Sequence, residues 1–236
     1  MEAGMTSGRR DLIFDLDGTL IDSAPDLARA LNRLLAELGR PPLDVAVVRR
    51  LVGDGAPELL SKALALGGAT VDPAEVPNLL NRYRGFYLET ATHSTRPYPG
   101  VPETLAALHD AGHRMVVCTN KIQKPTLKIL DFFNLAKFFD GVAGGDMTPA
   151  RKPDPRHLLA ALTLIGGAPG SSVMIGDGVN DAVAARAAGI PLLLLDSGYG
   201  EIPAGDLGGD VLLKSFREIP AALERLAAWR PSLPAS

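Results

Sequence analysis

A short segment that follows an apolar run carries two carboxylates in alternation, in the order Asp15-Leu16-Asp17-Gly18-Thr19. Asp15 and Asp17 are two residues apart, so on an extended backbone they point to the same side. One carboxylate can attack phosphorus and form an aspartyl phosphate, and the other can protonate the leaving oxygen and later activate water. Gly18 permits a sharp turn, and Thr19 can bind a phosphate or cap that turn. Taken alone, the segment fits an acidic turn at a strand end equally well.

Two further aspartates favour the chemical interpretation. Asp15 and Asp17 would repel a phosphate dianion unless a hard cation lay between them, and Mg2+ prefers oxygen ligands from carboxylates and substrate. Asp177 ends the apolar run Val-Met-Ile-Gly and is the natural third contributor. Asp181 can orient a metal-bound water from behind the ligands. The alternative for Asp181 is an ordinary acidic residue at a helix N-terminus, where the helix dipole favours it.

Cationic and polar groups for the phosphate follow other apolar runs. Lys152 precedes a stiff segment in which Asp154 can cap a helix and Pro155 can occupy its first position. Its ammonium could balance the nucleophile and the transferring phosphoryl group, although a lone loop lysine is more often simply solvated. Thr119 and the backbone N–H groups of Asn120 and Lys121 could hold phosphate oxygens at a strand end.

The elements that must position these residues alternate regularly. Short runs rich in Val, Ile and Leu predict strands at 12–14, 115–118, 141–143, 173–175, 192–195 and 211–213. Helical patterns lie between most of them, near 101–111, 126–133, 155–164 and 181–188. Continuous apolar strands joined by helices predict an α/β fold, with a parallel sheet covered by helices on both faces. Ligands bind at the carboxyl ends of such strands, where the candidate residues fall.

The segment between the first two predicted strands has a different pattern. From about Asp22 to Arg96 the periodicity is helical with no convincing strand, which predicts an inserted helical domain. One helix is opened by Pro25 and closed near Gly39, and two more are expected at 45–66 and 74–90. Glycines near residue 54 must interrupt the second helix or form a turn.

Three residues of this inserted segment are candidates for substrate binding. Gly53 and Gly55 flank a turn beside Arg50, and such a turn could present N–H groups and a fixed cation to a substrate carboxylate. The alternative for Arg50 is a solvent-exposed helix residue, which is equally common.

Composition limits the partners and the compartment. The net charge is −3 without any basic run, so nothing predicts binding to nucleic acid or to an anionic membrane. No apolar run approaches the length of about 20 residues that a membrane-spanning helix needs. The single cysteine, Cys118, lies in an apolar run and is expected to be an inert buried thiol. Residues 1–10 do not resemble a signal peptide. We therefore expect a cytoplasmic protein, either a monomer or a homodimer.

The candidate residues form four motifs, and their order resembles that of the haloacid dehalogenase-like (HAD) hydrolase superfamily across almost the whole chain. These motifs are Asp15-Leu16-Asp17-Gly18-Thr19, Thr119-Asn120, Lys152-Pro153-Asp154-Pro155 and Gly176-Asp177-Gly178-Val179-Asn180-Asp181. The resemblance implies a Rossmann-like core made of residues 1–21 and 96–236. It also implies that residues 22–95 are the mobile, all-helical cap domain that closes over the substrate.

The resemblance also implies residue roles. Asp15 would be the nucleophile and Asp17 the general acid and base, while Thr119 and Lys152 would stabilise phosphate and charge. Mg2+ would be held by Asp15, the backbone carbonyl of Asp17 and Asp177. The longer stretches Asp17-Gly-Thr-Leu-Ile-Asp-Ser-Ala-Pro-Asp-Leu27 and Cys118-Thr-Asn-Lys121 look like the phosphoglycolate phosphatase branch. There the substrate is a small phosphorylated acid, which makes 2-phosphoglycolate the expected substrate.

One departure and several alternatives stay open. This branch usually has Ser where Gly178 stands, a departure that bears on the substrate and not on the reaction. A phosphomutase similar to beta-phosphoglucomutase would share every core residue. So would phosphatases that act on a sugar phosphate, N-acetylmuramate 6-phosphate or pyrophosphate. A binding or regulatory module that had lost catalysis is disfavoured, because such a protein should lack at least one of the charged residues, and all are present.

Overall fold

The structure is a computed structural model, and it describes residues 8–66, 71–196, 198–200 and 202–228. Two sequence-based interpretations concern residues outside this description: residues 1–7 belong to the segment 1–10, which does not resemble a signal peptide, and Trp229 is predicted to anchor the last helix to the sheet. Within the described ranges, no helix is long and apolar enough to cross a membrane.

Six of the described strands form one parallel sheet, in the spatial order β5-β4-β1-β6-β7-β8. A separate antiparallel pair is formed by β2 and β3. The strands are β1 (Asp11–Phe14), β2 (Ile21–Asp22), β3 (Arg96–Pro97), β4 (Arg114–Cys118), β5 (Gly141–Ala143), β6 (Ser172–Gly176), β7 (Leu192–Leu195) and β8 (Val211–Leu213). All six predicted strands are present, and the α/β fold expected from the sequence is confirmed.

Both faces of the sheet are buried, because alternate residues of each strand point to opposite sides. In β1, Leu12 and Phe14 join one apolar cluster, whereas Ile13 joins the other. All three of these β1 side chains are completely buried. A strand that is apolar at every position therefore needs helices above and below it.

The helices that cover the sheet follow the predicted order. They are α5 (Val101–Asp110), α6 (Gln123–Phe132), α7 (Pro155–Leu164), α8 (Val179–Ala188) and α9 (Ile219–Ala228). Apolar residues of α5, α6 and α9 pack in the cluster with Leu12, and those of α7 and α8 pack in the cluster with Ile13. Short 3₁₀ turns lie at Pro73–Glu75, Ala136–Phe138, Pro169–Ser171, Ala204–Asp206 and Phe216–Glu218.

The segment between β2 and β3 is helical, as expected. Its helices are α1 (Ala24–Glu37), α2 (Val45–Leu51), α3 (Ala56–Leu66) and α4 (Val76–Thr90). The pattern at 45–66 is thus two helices, because Gly53 and Gly55 adopt φ values of +138° and +93° that end one helix and redirect the chain. The Gly53 turn points back toward the sheet, where its carbonyl contacts the side chain of Asn120.

The chain enters and leaves this helical segment at one place. Strands β2 and β3 pair there, with Ile21 opposite Pro97. Asp26 is completely buried near the start of α1, and its carboxylate accepts hydrogen bonds from Ser94 and Thr95 at 2.7–3.0 Å. Hydrogen bonds to a buried carboxylate are among the stronger ones in a protein, so the two crossing points are tied together.

Candidate active site

The three central strands of the sheet end at one edge and bring the candidate residues together. Asp15 follows β1, Thr119 follows β4 and Asp177 follows β6, and β1 lies between the other two. The Asp15 backbone N–H continues the sheet pattern by donating to the carbonyl of Ile175 at 3.0 Å. Side chains that are far apart in sequence therefore share one small space, as the strand-end argument predicts.

Three carboxylates and one ammonium occupy that space. Oxygens of Asp15, Asp177 and Asp181 lie within 4.8 Å of one another. The Lys152 Nζ lies 2.9 Å from Asp15 Oδ1 and 2.6 Å from Asp181 Oδ1. Burial raises the pKa of Asp15 to about 6, although the Lys152 charge opposes this. Burial and the charges of Asp181 and Asp15 raise the pKa of Asp177 well above its ordinary value. Since the one ammonium pairs with only two of the three carboxylates, the all-oxygen site fits a hard divalent cation.

Asp177 is held in position from all sides. Its Oδ1 accepts a hydrogen bond from the Thr19 hydroxyl at 2.6 Å, and its Oδ2 accepts one from the Tyr199 N–H at 2.7 Å. A Cβ atom at Gly18 or Gly198 would lie 2.3 or 2.1 Å from an Asp177 side-chain atom. Only glycine fits at either contact. Thr19, predicted to touch substrate or to cap the turn, is completely buried with its hydroxyl on Asp177.

Asp181 has both oxygens occupied by protein donors. Its Oδ2 accepts from the backbone N–H groups of Asp177 and Gly178, each at 3.1 Å, and its Oδ1 accepts from Lys152. The residue lies in the first turn of α8 and is 2% exposed. These contacts orient the loop that carries Asp177, which agrees with the sequence interpretation of Asp181 as a residue behind the ligands.

Lys152 is fixed through its backbone as well as its side chain. Asp154 caps α7 by accepting from the Arg156 N–H, as the sequence predicts. The Asn120 side-chain amide donates to the Lys152 carbonyl at 2.8 Å, and the Lys152 N–H donates to Nδ1 of His157 at 3.3 Å. Burial disfavours the charge, but Asp15 and Asp181 raise the pKa of Lys152, which remains protonated. His157 was not recognisable from the sequence, because only the fold brings its ring to this backbone.

Asp17 is oriented by the side chains of Lys121 and Ser23, and sequence reasoning did not identify either as a contact of Asp17. Its Oδ2 lies 2.9 Å from Nζ of Lys121, and its Oδ1 accepts from the Ser23 hydroxyl at 2.5 Å. The Lys121 N–H donates to the Thr119 hydroxyl oxygen at 3.2 Å. Lys121 directly follows the Thr119-Asn120 motif. A cation next to that predicted phosphate-binding segment is the sequence feature that could have identified it.

Two cavities meet at Asp15 and Asp17, between the sheet edge and the helical segment. The first has a volume of about 230 Å³ and is lined by Thr119, Asn120, Gly53, Gly55, Lys121 and residues of α4. The second, of about 190 Å³, is lined by Lys152, Asp177, Asp181, Gly53 and Arg50. The predicted residues of the helical segment therefore do line the space above Asp15, although the Arg50 residue is largely exposed.

Comparison with known proteins agrees with this geometry. Residues 12–189 match the family model described as haloacid dehalogenase-like hydrolase. The chain belongs to this family. The HAD chain is 46% identical over 221 residues to the phosphoglycolate phosphatase of Caulobacter vibrioides, covering 94% of this chain and 93% of that one. It is 38% identical over 217 residues to the phosphoglycolate phosphatase of Agrobacterium fabrum, covering 92% and 93%.

A solved structure gives the same result. The crystal structure of a predicted phosphoglycolate phosphatase from Haemophilus somnus superposes on the HAD chain with a TM-score of 0.87 at 31% identity. The match covers 93% of this chain and 99% of that one. The resemblance to the HAD superfamily and to its phosphoglycolate phosphatase-like branch is thereby confirmed.

Proposed function

We propose that this HAD hydrolase is a magnesium-dependent phosphatase whose substrate is 2-phosphoglycolate. The observation that supports it most is the cluster of Asp15, Asp177 and Asp181 at the edge of the sheet, in which the Lys152 ammonium pairs with Asp15 and Asp181. Relatives named as phosphoglycolate phosphatases, which align over more than nine-tenths of the chain, support the choice of substrate.

Asp15 is the proposed nucleophile. One of its oxygens attacks phosphorus, the bond from phosphorus to the glycolate oxygen breaks, and Asp17 gives that oxygen a proton. Water then attacks the aspartyl phosphate and gives a proton back to Asp17, so that inorganic phosphate leaves, Asp15 is again a free carboxylate and Asp17 is again protonated. Lys121 and Ser23 hold Asp17 beside the reacting atoms in the meantime.

Asp15, Asp177 and the backbone carbonyl of Asp17 are the proposed ligands of Mg2+. The ion, when bound, supplies positive charge that offsets the carboxylates and polarises the phosphoryl oxygens. Thr19 and Asp181 do not coordinate it in this proposal. Instead, Thr19 orients Asp177 by donating its hydroxyl, and Asp181 holds the loop and the lysine.

Phosphate is held by the cations and donors at the sheet edge. The Thr119 hydroxyl and the Lys152 ammonium are proposed to bind the transferring phosphoryl group, since positioning and charge stabilisation supply most catalysis of phosphoryl transfer. The side-chain amide nitrogen of Asn120 donates to the Lys152 carbonyl at 2.8 Å and to the Gly53 carbonyl at 2.9 Å.

Residues 22–95 are proposed to be a cap domain on a core made of residues 1–21 and 96–236. Two contacts join them above the site. Gly53 accepts from Asn120 at 2.9 Å, and Asp54 accepts from the Asn180 side chain at 2.8 Å. Both asparagines lie in the core motifs, so these contacts hold the cap turn over Asp15. A site covered in this way excludes bulk water and strengthens its electrostatic interactions.

Phosphate release from a panel of phosphoesters tests the proposal. The panel contains 2-phosphoglycolate, sugar phosphates, N-acetylmuramate 6-phosphate, pyrophosphate and beta-glucose 1-phosphate. We expect the highest kcat/KM for 2-phosphoglycolate in the presence of Mg2+. A higher value for another compound would overturn the substrate assignment, and formation of an isomeric phosphate would identify a mutase.

A further inference from the structure

The larger of the two cavities is mainly apolar, and α4 supplies several of its polar groups. Tyr83, Arg84 and Tyr87 of α4 all line the cavity, together with Asp15 and apolar residues of the helical segment. The rings of Tyr83 and Tyr87 are stacked one helical turn apart, with centroids 6.4 Å apart and an angle of 16° between them. This side of α4 thus faces the same space as the nucleophile.

These polar groups have no partners among the described residues. The hydroxyls of Tyr83 and Tyr87 and the Nε of Arg84 are all buried without a hydrogen bond. Tyr83 is 1% exposed and Tyr87 is 4% exposed, so solvent does not compensate them. A buried polar group without a partner costs about 1–3 kcal/mol, and three of them at one place call for an explanation.

Arg84, like Arg40 and Arg50, forms no ion pair with the described residues, which distinguishes it from the other arginines of the helical segment. Arg33, Arg49 and Arg82 each form an ion pair with a carboxylate, namely Glu89, Asp22 and Glu37. No carboxylate in the described part of the chain lies within ion-pair distance of Arg84. Two lysines also line this cavity. Lys121 already pairs with Asp17 and lies 4.5 Å from the centre of the Tyr87 ring, and Lys124 is exposed.

The unpaired groups on α4 can all donate hydrogen bonds. Burial raises the pKa of both tyrosines, so their hydroxyls keep their protons at any physiological pH. A guanidinium and two phenols between apolar walls match a ligand that is negatively charged and accepts hydrogen bonds. A carboxylate fits this description, and arginine can bind it in a bidentate manner.

We propose that Arg84, Tyr83 and Tyr87 form the subsite that binds the carboxylate of the substrate, while its phosphoryl group lies at Asp15. This assignment rests on the proposed function, because it requires a substrate that carries both groups. It differs from the sequence-based candidate Arg50, which lines the other cavity together with Lys152 and the three clustered aspartates. Arg84 thus becomes the residue that selects a phosphorylated acid over a neutral phosphoester.

The test compares two substrates that differ at one group. 2-Phosphoglycolate carries a carboxylate where 2-hydroxyethyl phosphate carries a neutral hydroxymethyl group. In Arg84→Gln we expect kcat/KM for 2-phosphoglycolate to fall about 10- to 100-fold, mainly through KM, since charged hydrogen bonds of this kind are lost. Turnover of 2-hydroxyethyl phosphate should fall much less, because that compound has no carboxylate for Arg84 to bind, and the thermal midpoint shows whether the variant is folded. The kcat/KM of Arg84→Lys for 2-phosphoglycolate should lie between those of the wild type and Arg84→Gln. Lysine keeps the positive charge but cannot bind the carboxylate in a bidentate manner.

Arg82→Gln is the matched control, because Arg82 lies on the same helix and pairs with Glu37 at the surface. Its ratio of kcat/KM values for the two substrates should equal that of the wild type. Tyr83→Phe and Tyr87→Phe remove one hydroxyl each and should lower the ratio severalfold. They provide the test if Arg84→Gln does not fold, and a wild-type ratio in both would then overturn the subsite.

The outcomes separate this inference from the proposed function. If the wild type prefers 2-phosphoglycolate and Arg84→Gln keeps that preference, the subsite is wrong and the function stands. If the wild type prefers another carboxylate-bearing phosphoester, such as 3-phosphoglycerate, and Arg84→Gln loses that preference, the subsite stands and the substrate is wrong. If the wild type shows no preference for any carboxylate, both are wrong.

Discussion

The ammonium of Lys152 lies 2.9 Å from Oδ1 of Asp15, inside a site where both residues are largely removed from water. This pairing keeps the Asp15 carboxylate ionised despite burial, and an ionised carboxylate is the nucleophile that the proposed reaction needs. The same pairing makes the charge of the lysine depend on the aspartates. The chemistry and the stability of the site are therefore coupled.

Replacement of Asp15 by Asn should abolish turnover and leave the fold intact. The change removes the attacking charge with almost no change in volume, so we expect kcat to fall at least about 10³-fold. Phosphate release and the thermal midpoint are the measurements. Asp131→Asn, on the exposed side of α6, is the control and should behave as wild type. Substantial phosphate release by Asp15→Asn would contradict the nucleophile assignment.

Replacement of Lys152 by Met should destabilise the protein as well as inactivate it. It leaves Asp15 and Asp181 buried without their cation, and breaking a buried pair in this way costs about 3–5 kcal/mol. Urea unfolding measures the loss, and the exposed Lys214→Met should show none. The double variant Lys152→Met/Asp181→Asn should recover part of the stability. Equal stability of Lys152→Met and wild type would show that the lysine does not compensate these carboxylates.

Removal of divalent cations by EDTA should stop phosphate release, and added Mg2+ should restore it. Binding should also raise the free energy of unfolding, by about 2.7 kcal/mol at a concentration 100 times the Kd. This increase should disappear in Asp177→Asn, which loses one proposed ligand. An undiminished increase in Asp177→Asn, or turnover without any metal, would refute the ligand assignment.

His157 should make the protein less stable as the pH falls from about 6.5 toward 4. Burial and the nearby Lys152 charge lower the pKa of His157 to about 4, so the unfolded chain takes up a proton before the folded one does. Stability from this residue is therefore complete above pH 6.5 and is lost below it, by up to about 2 kcal/mol at pH 5.

The variant His157→Asn tests this by keeping a hydrogen-bond acceptor without a titrating group. Its free energy of unfolding, measured by urea at pH 7 and pH 5, should decrease less than that of the wild type. Identical pH dependence in both proteins would show that the buried ring does not contribute.

Gly178, the residue at which this branch usually has Ser, should tolerate that serine. Its φ is −119°, and an added Cβ would lie 3.9 Å from the nearest atom, Oδ2 of Asp181. We expect kcat for Gly178→Ser within about threefold of wild type, since the added side chain causes no clash and no helix cap is removed. Gly18→Ala is the contrast, because its Cβ would lie 2.3 Å from Asp177 Oδ2 at a φ of +91°. Loss of activity in Gly178→Ser equal to that in Gly18→Ala would contradict this reading of the loop.

The parts of the fold that depend on local pattern were predictable from the sequence. The strands were found because runs such as 192–195 contain apolar residues at every position, which requires burial on both faces. Asp15 and Asp177 were chosen as candidates because they follow such runs, and Lys152 because it precedes the stiff segment that begins α7. Helix starts were less well predicted, since α6 begins at Gln123, three residues before the expected Thr126.

The contacts made between distant segments were not predictable. Thr19 pairs with Asp177, and His157 holds the Lys152 backbone, only because the packed sheet and helices bring them together. Arg84 could not be recognised as a binding residue from the sequence, because a helical pattern does not show which face of α4 will meet the sheet edge. The candidate cation chosen from the sequence was instead Arg50, next to the glycine turn.

Ile21 lies opposite Pro97 in the β2–β3 pair, and the Asp26 carboxylate fastens the same junction. Paired strands lie about 5 Å apart, so the whole helical segment is attached through two adjoining backbone points. Such an attachment places little constraint on the size or sequence of the helical segment, because β2 and β3 already hold the two ends of that segment together. Evolution could therefore exchange the segment proposed to select the substrate while the strand ends proposed to perform the reaction stay unchanged.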